Sequence, residues 1–379
     1  MRNALNRFFK IEESGSTVRT EIVAGVTTFM TMAYIIFVNP AVLSQGAGMD
    51  FNAVMVATCI SSAVATLLMA LLANYPIAQA PGMGINALFS YQICAAMGVP
   101  WTIALGMVFL SGALFMLLTA VRFREVIFEA IPEGIKHGIA AGIGTFIAFI
   151  GLKEAGIVVP SAATFLAMGD LSAPPALVAI AGLVLTAIMM ARRIKGAILL
   201  GILCTGILGI ITGIVQYRGL VSPIPSMAPT WLRLDVAGAL SAAFIMPIAT
   251  ILFLNMFDTI GTLIGVGEQA GLVKNGKLPR AGRALFADAV GTTLGALCGT
   301  SPVTSYIESA TGVSEGGRTG LASVITALLL LLALFFSPLA TMFGGGYRPE
   351  GGATMLHPVT APALIVVGSL MMRSITRIR

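Results

Sequence analysis

The sequence predicts an all-α polytopic membrane protein, and three observations carry that reading. Of 379 residues, 57% are hydrophobic and 10% are charged, against roughly 25% charged in soluble domains. Mean hydropathy is +0.95, and apolar segments of about 20 residues, the length that crosses a bilayer, recur along the whole chain. The basic residues, finally, gather on one set of the connecting loops.

Taken in order, the chain opens with MRNALNRFFKIEESGSTVRTE. It holds no apolar run before Glu21 and is expected to be a cytoplasmic lead-in, not a cleaved signal. Spans are then expected at 22–40, 52–73, 77–97, 101–121, 134–152, 176–191, 197–216, 238–265, 284–299, 301–314, 319–337 and 359–372, about twelve in all. The third and tenth are poor material for simple helices. With a cytoplasmic N-terminus, 18 of the 22 Lys and Arg fall inside, and only Lys153, Arg218, Arg233 and Arg348 fall outside. That asymmetry is what the positive-inside rule expects, and it places both termini in the cytoplasm. The net charge of +6 therefore reports topology and calls for no nucleic-acid partner.

Other chemistry is poorly supported. Cys59, Cys94, Cys204 and Cys298 are scattered through apolar segments without metal or disulfide spacing, and read as small packing residues. His137 and His357 lack HExxH-type spacing and fall near opposite membrane faces, which argues against a metal enzyme. No span holds a central basic partner for a nucleophilic serine. The GxG of PGMGIN stands alone, without the strand, helix and acid of a nucleotide fold. The expectation is a protein that is not an enzyme and carries no cofactor or metal.

The third span reads QAPGMGINALFSY at 79–91, with Pro81, Gly82, Gly84 and Asn86 close together. Irregular backbone at membrane depth is tolerated only where protein or a cavity supplies hydrogen-bond partners. The second half of the chain carries a counterpart, CGTSPVTSYIESATG at 298–312, with Pro302, Thr304, Ser305 and Glu308. Alone, either segment reads as well as a proline kink repaired by neighbouring helices as it does as a site wall. As a matched pair in two halves they point to a midplane binding site of the transporter kind. Asn86 and Glu308 follow their breaks closely, where a half-helix would aim free N–H groups into the gap.

Acids inside spans are the second signal. Asp258 lies in FLNMFDTIGTLIG, Asp288 in ALFADAVGTTLG and Glu308 in the broken tenth span. An ionised acid at a helix centre costs about 2.5 to 3.5 kcal/mol even on the lenient insertion scale, so such residues are kept for a use. A carboxyl group held in low dielectric can take up a proton and release it when substrate or water arrives. Asp288, nearer a basic cytoplasmic loop, suits a structural role as well as a coupling one. Glu21, Glu268 and Glu315 stand at span ends and are expected at the interface.

Four stretches make the pattern specific: GSTVRTEIVAGVTTFMTMAYIIFVNP (15–40), QAPGMGINALFSY (79–91), FDTIGTLIGVGEQAGL (257–272) and GTSPVTSYIESATGVSEGGRTGL (299–321). In order and through nearly the whole chain they closely resemble the AzgA-like purine permeases, the hypoxanthine/guanine/adenine branch of the nucleobase:cation symporters within the nucleobase/ascorbate transporter superfamily. The resemblance implies a fold of seven plus seven inverted-repeat spans in which the third and tenth each combine a short strand with a half-helix. It also implies a core domain that binds the base and slides against a gate domain, with proton symport. By resemblance the base-binding positions are Asp258 and Glu308, with Asn86 nearby, and Asp288 is a supporting or coupling acid. A carboxylate at Glu308 suits two ring-edge N–H donors of an oxopurine together. Phe89 or Phe257 would wall the flat ring, with Thr304 and Ser305 beside it. Asp258 either holds the coupling proton or accepts from the imidazole edge.

On this reading residues 1–20 are the cytoplasmic segment, 21–125 core spans, 126–235 gate spans, 236–338 core spans and 339–379 a partial gate. Family chains continue for two more spans beyond RSITRIR, so the gate repeat is expected to be incomplete. The connection MFGGGYRPEGGATMLHP at 342–358 is longer than the family pattern. The expected function is proton-coupled uptake of purine bases, guanine and hypoxanthine ahead of adenine, across the plasma (inner) membrane. The partners are a purine, a proton and the bilayer, with a homodimer left open. The alternatives are a carrier of another nucleobase such as uracil or xanthine, or a membrane purine-binding protein that does not transport.

Overall fold

The computed structural model describes residues 2–120, 133–161, 164–273, 278–348 and 355–372. Arg122, Arg124, Lys274, Lys277, Arg373, Arg377 and Arg379, which enter the charge asymmetry, lie outside the described residues, as do the side chains of Arg2, Lys136 and His137. So does part of the connection at 342–358.

A short helix α1 (Arg2–Phe9) leads into α2 (Val18–Met32), whose start is capped by the Thr17 hydroxyl accepting from the Thr20 amide. Then come α3 (Ile35–Ala47) and α4 (Phe51–Leu68), the latter capped by Asp50 and continued by a wide turn at Met69–Ala73. Strand β1 (Gln79–Pro81), α5 (Met83–Ala87) and a wide-turned stretch over Leu88–Ala96 form the third segment, followed by α6 (Trp101–Ala120). Next are α7 (Glu133–Glu154), the hairpin β2 (Val158–Ser161) and β3 (Phe165–Met168), α8 (Pro174–Ala191) and α9 (Ala197–Ile211). After an extended passage come α10 (Val236–Ala239), α11 (Ile245–Gln269) and α12 (Ala281–Cys298). Strand β4 (Val303–Ser305) and α13 (Ser309–Ser314) precede α14 (Gly320–Leu332), α15 (Ser337–Gly344) and α16 (Ala361–Met372).

Among the described residues six helical stretches are long and apolar enough to cross a membrane: Val18–Ala47, Phe51–Ala73, Trp101–Ala120, Pro174–Ala191, Ala242–Gln269 and Gly320–Gly344. Helices α9 and α16 are apolar but shorter. Outward-facing Leu177, Val184 and Ile188 on α8 are exposed, as side chains that meet lipid tails are free to be. The first stretch runs longer than the 22–40 expected for it and is broken at Ala33 and Tyr34. The Thr31 hydroxyl there bonds back to the Thr27 and Thr28 carbonyls, a contact that bends helices, and Pro40 offers no N–H to the turn before it.

Helix α2 packs on α14, and α12 packs on both α4 and α6. Helix α16 lies along α7 and also touches α8, which pairs with α9. The strands β1 and β4 sit among α4, α11 and α12. Glu21 does not lie at the interface as expected. It is fully buried, and its carboxylate accepts from the Arg318 amide at 2.9 Å and from the Thr319 and Ala322 amides at 3.3 Å. The start of α14 leaves amides without intrahelical partners, and a carboxylate satisfies them while opposing the helix dipole.

A second buried polar group joins the ends of α3 and α7 to the segment before α16. His357 Nδ1 and Glu154 Oε2 are 2.8 Å apart, Gln45 Nε2 donates to the same oxygen at 2.6 Å, and the Tyr91 hydroxyl donates to Gln45 Oε1.

Candidate functional site

The two broken segments meet. β1 and β4 pair antiparallel, with Gln79 opposite Ser305, Ala80 opposite Thr304 and Pro81 opposite Val303. The ladder is extended by the Gly82 amide donating to the Pro302 carbonyl and the Tyr306 amide donating to the Ala78 carbonyl, both at 2.9 Å. The prolines stand where only a carbonyl is needed. That of Pro302 takes Gly82, and that of Pro81 takes the Tyr306 hydroxyl at 2.5 Å. A strand pair this short leaves outer-edge groups that lipid cannot satisfy. Hydroxyls do so instead: Thr66 Oγ1 accepts from the Gln79 amide, Ser309 Oγ from the Ala78 amide, and Thr292 Oγ1 donates to the Val303 carbonyl.

Gly82 is needed here for space, since a Cβ at this position would lie 3.0 Å from Thr304 Oγ1 and 3.1 Å from its methyl carbon. One residue on, α5 begins and approaches α7 so closely that a Cβ on Gly84 would meet Ile143 at 2.6 Å.

Alternation along β4 sends its two polar side chains to opposite faces. Thr304 donates to Asp258 Oδ2 at 3.0 Å, and the Asp258 carboxylate, on α11, is otherwise exposed. On the other face Ser305 donates to Asp288 Oδ1 at 2.9 Å. Gln79 Nε2 donates to that oxygen at 3.0 Å, and Thr259 donates to Oδ2 at 2.8 Å. Asp288 is thus fully buried and tied to β1, β4 and α11 at once.

Glu308, half-buried at the start of α13, accepts from the Tyr34 hydroxyl through Oε1 at 2.7 Å. Its backbone carbonyl accepts from the Thr311 hydroxyl, and the Thr31 and Thr311 hydroxyls bond each other. Tyr34, Tyr306, Asp258 and Glu308 lie within electrostatic reach of one another.

The structure therefore gathers Asp258, Glu308, Thr304 and Gly82 on one side of the strand pair, with half-buried Phe257 next to Asp258. Phe257 stacks on Phe253 at 6.3 Å between ring centres. Asp288 and Ser305 stand on the other side. Asn86 is buried in a separate network, donating to Asn39 Oδ1 at 2.9 Å, while Asn39 Nδ2 donates to Thr58 and Thr300. Phe89 is fully buried in the packed core. A cleft lined by Leu71, Leu72, Thr119, Ala120, Gly282, Arg283 and Phe286 shares none of these residues.

Sequence reasoning missed Tyr34, Tyr306, Asn39 and Gln79. Each is a polar side chain inside or beside an apolar segment, and MAYIIFVNP carries two of them. The signal was present, but for Tyr34, Tyr306 and Gln79 the partners lie more than 200 positions away in the chain, and Asn39 reaches Thr300 across 261.

A profile described as a permease family matches residues 19–378. The chain belongs to this permease family. The permease is 44% identical to the adenine permease AdeP of Escherichia coli over 99% of its own length and 81% of that protein. It is 42% identical to the guanine/hypoxanthine permease PbuG of Bacillus subtilis, over 99% and 85% of the two chains. A Methanocaldococcus jannaschii protein carrying a permease name is 52% identical over 98% and 83%. In fold the permease is similar to the transmembrane domain of the cyanobacterial bicarbonate transporter BicA, with TM-score 0.69, 16% identity, and 93% and 88% of the chains covered. It is also similar to SLC26A9, with TM-score 0.64, 11% identity, and 99% and 61% covered. The permease is a multi-pass membrane transporter and not an enzyme.

Proposed function

We propose that this permease carries purine nucleobases, guanine and hypoxanthine ahead of adenine, across the plasma membrane together with protons. The observation that carries the reading is the pair Asp258 and Glu308, brought from α11 and α13 to one side of the β1–β4 ladder in a chain whose relatives are named as purine permeases. Identity alone does not separate the substrates, since the adenine and guanine/hypoxanthine permeases match at 44% and 42%. We rank the oxopurines first on the chemistry of the pair: two carboxylates offer acceptors and an oxopurine carries ring N–H donors on both rings, whereas adenine sets its exocyclic amine and imidazole N–H beside a bare acceptor at N1. The same two negative groups disfavour an anion as cargo, whatever the fold neighbours carry.

In this reading Asp258 and Glu308 bind the base and exchange the coupling proton, Phe257 and Thr304 complete the wall, and Asp288 with Ser305 holds the strands. Asn86 and Phe89 act from behind, through the packing of the third segment. The third and tenth segments, each a strand followed by a helix, are the matched breaks of a seven-plus-seven inverted repeat. Residues 21–125 and 236–338 form the moving core; 126–235 and 339–379 belong to the gate. The close packing of α16 on α7 and α8 supports that grouping. The small side of α5 at Gly84 against Ile143 suits a surface that slides. Both termini are cytoplasmic in this reading.

The test is uptake of radiolabelled hypoxanthine, guanine, adenine and uracil by purine-transport-deficient cells expressing the chain, with an uncoupler control and a Glu308→Gln variant. Uncoupler-sensitive purine accumulation that the variant loses is the expected result. Accumulation of uracil in preference to purines, or full activity in the variant, would overturn the reading.

A further inference from the structure

Away from the strand pair, a buried polar cluster joins two bodies of the chain. On one side the Ser90 hydroxyl donates to the Val42 carbonyl at 2.6 Å and the Tyr91 hydroxyl donates to Gln45 Oε1 at 2.8 Å, which fastens the third segment to α3. On the other the His357 amide donates to the Glu154 carbonyl at 3.0 Å, and His357 Nδ1 stands 2.8 Å from Glu154 Oε2, which fastens the segment before α16 to the end of α7. Gln45 crosses between them. Its Nε2 donates to Glu154 Oε2 at 2.6 Å and reaches the Met355 carbonyl at 3.4 Å. With Tyr91 donating to Oε1, the amide turns its N–H group to the carboxylate. Glu154 and His357 are 2% and 3% exposed, so the crossing bond is made away from water.

This contact ends a seam. Along α7, Ile143 packs on Gly84, Phe146 meets the Tyr91 ring edge-on with centres 6.2 Å apart, and Glu154 takes Gln45. Steps of three and eight residues keep all three on one helix face. In the orientation above, the seam runs from mid-membrane to the extracellular end. At the cytoplasmic end the two bodies meet through Lys195 and Glu315, an exposed pair of the kind that water and salt weaken. From Asp258 toward that end α11 stands open. No atom of another described element lies within 4 Å of a Cβ on Gly261, and at Gly265 the Ile307 side chain comes to 3.7 Å.

We propose that the Gln45–Glu154 hydrogen bond is the extracellular latch of the transport cycle. Made, it holds the core against the gate while the base site opens to the cytoplasm; the base enters from outside after it breaks. Tyr91 and His357 are positioning residues, one presenting the amide and the other the carboxylate. The inference rests on the division into core and gate given above, and not on which base is carried. A polar bond suits repeated opening, because the parted amide and carboxylate both regain water. The latch is also not over-tight, since Glu154 Oε1 is buried without a partner while it is closed.

The experiment is labelling of an Ile143→Cys reporter by a membrane-impermeant maleimide, from outside on intact cells and from the cytoplasmic face in inside-out vesicles. The full chain without the reporter gives the background from the native cysteines. The reporter is tested alone and together with Gln45→Leu or Tyr91→Phe, beside hypoxanthine uptake and the thermal stability of each variant. With the latch intact it should label faster from the cytoplasmic face. Gln45→Leu should speed labelling from outside by about tenfold or more, the population shift that matches one lost charge-assisted hydrogen bond. Tyr91→Phe, which keeps the ring against Phe146, should speed it less and keeps the test decisive if Gln45→Leu does not fold. The KM for hypoxanthine from outside should fall in Gln45→Leu, since a larger fraction of the chain then presents its site to that side. A merely structural role would lower thermal stability without speeding outside labelling, and that result overturns the proposal. So does a reporter that labels faster from outside while the latch is intact. Labelling needs no substrate, so faster outside labelling without hypoxanthine uptake would support the latch and remove the cargo proposed above.

Discussion

Replacing Asp288 tests whether the strand pair is held from behind. Its carboxylate is fully buried and accepts from Gln79, Ser305 and Thr259. Hydrogen bonds to a charged group contribute about 1.5 to 3 kcal/mol each, and a buried donor left alone costs about 1 to 3 kcal/mol. Asp288→Ala removes the acceptor for three donors. The Thr259 and Ser305 hydroxyls can turn to other acceptors, and Gln79 keeps its 3.3 Å contact to Ser305. With one or two buried donors left short of an acceptor, the expected net cost is therefore about 3 to 5 kcal/mol. At roughly 2 °C per kcal/mol for a large chain, that lowers the melting temperature of the detergent-purified protein by about 6 to 10 °C. Asp288→Asn should cost less than half as much. The Gln79 side-chain oxygen is buried without a partner, so its amide can rotate to accept from the new asparagine while the hydroxyls donate to the remaining oxygen. Thermal melting, followed by size-exclusion chromatography with fluorescence detection, measures both variants. A shift of under 2 °C for Asp288→Ala would refute the reasoning, and so would an asparagine variant as unstable as the alanine one.

The other predictions concern three further buried contacts. Gly82→Ala should insert and melt nearly normally but raise the KM for hypoxanthine several-fold, because the new methyl pushes on Thr304, which orients Asp258. An unchanged KM would count against that coupling. Glu21→Ala should destabilise by about 1 to 3 kcal/mol, since it strips the start of α14 of the acceptor for three amides. Glu21→Gln, which keeps an acceptor oxygen, should recover part of the loss in the same melting assay. His357→Leu should cost about 1 to 3 kcal/mol by leaving Glu154, whose Oε1 already lacks a partner, with Gln45 alone. Adding Glu154→Leu should restore stability, and a double variant that melts lower than the single one would refute this account.

Much of the architecture is written locally. Apolar segments of spanning length, Pro81 and Pro302 with their glycines, and acids at membrane depth are all visible in the sequence because lipid imposes the same local rule everywhere. A segment must satisfy its own backbone or find protein that does. Hence the segments at 79–91 and 298–312 were legible as special, and the carboxyl groups of Asp258, Asp288 and Glu308 were legible as groups that need partners. What the two breaks do to each other was not legible. The ladder that sets Gln79 opposite Ser305 joins residues 226 positions apart, and no local pattern encodes that register.

The division of labour among the acids belongs to the same class. Asp258 and Asp288 look alike in sequence, each an aspartate in a glycine- and threonine-rich helix. Strand alternation puts Thr304 beside one and Ser305 beside the other, leaving the first open and the second enclosed. Glu21 looked interfacial because it stands at a span end; the approach of α14 buries it. Tyr34 drew no attention in its apolar segment; the fold brings Glu308 to its hydroxyl. The sequence by itself determined that this is a membrane protein with interrupted segments and acids within apolar segments, because composition and periodicity act over one or two turns. Tertiary structure alone decided which hydroxyl meets which carboxylate, because a hydrogen bond depends on distances of a few tenths of an ångström between residues the chain keeps far apart.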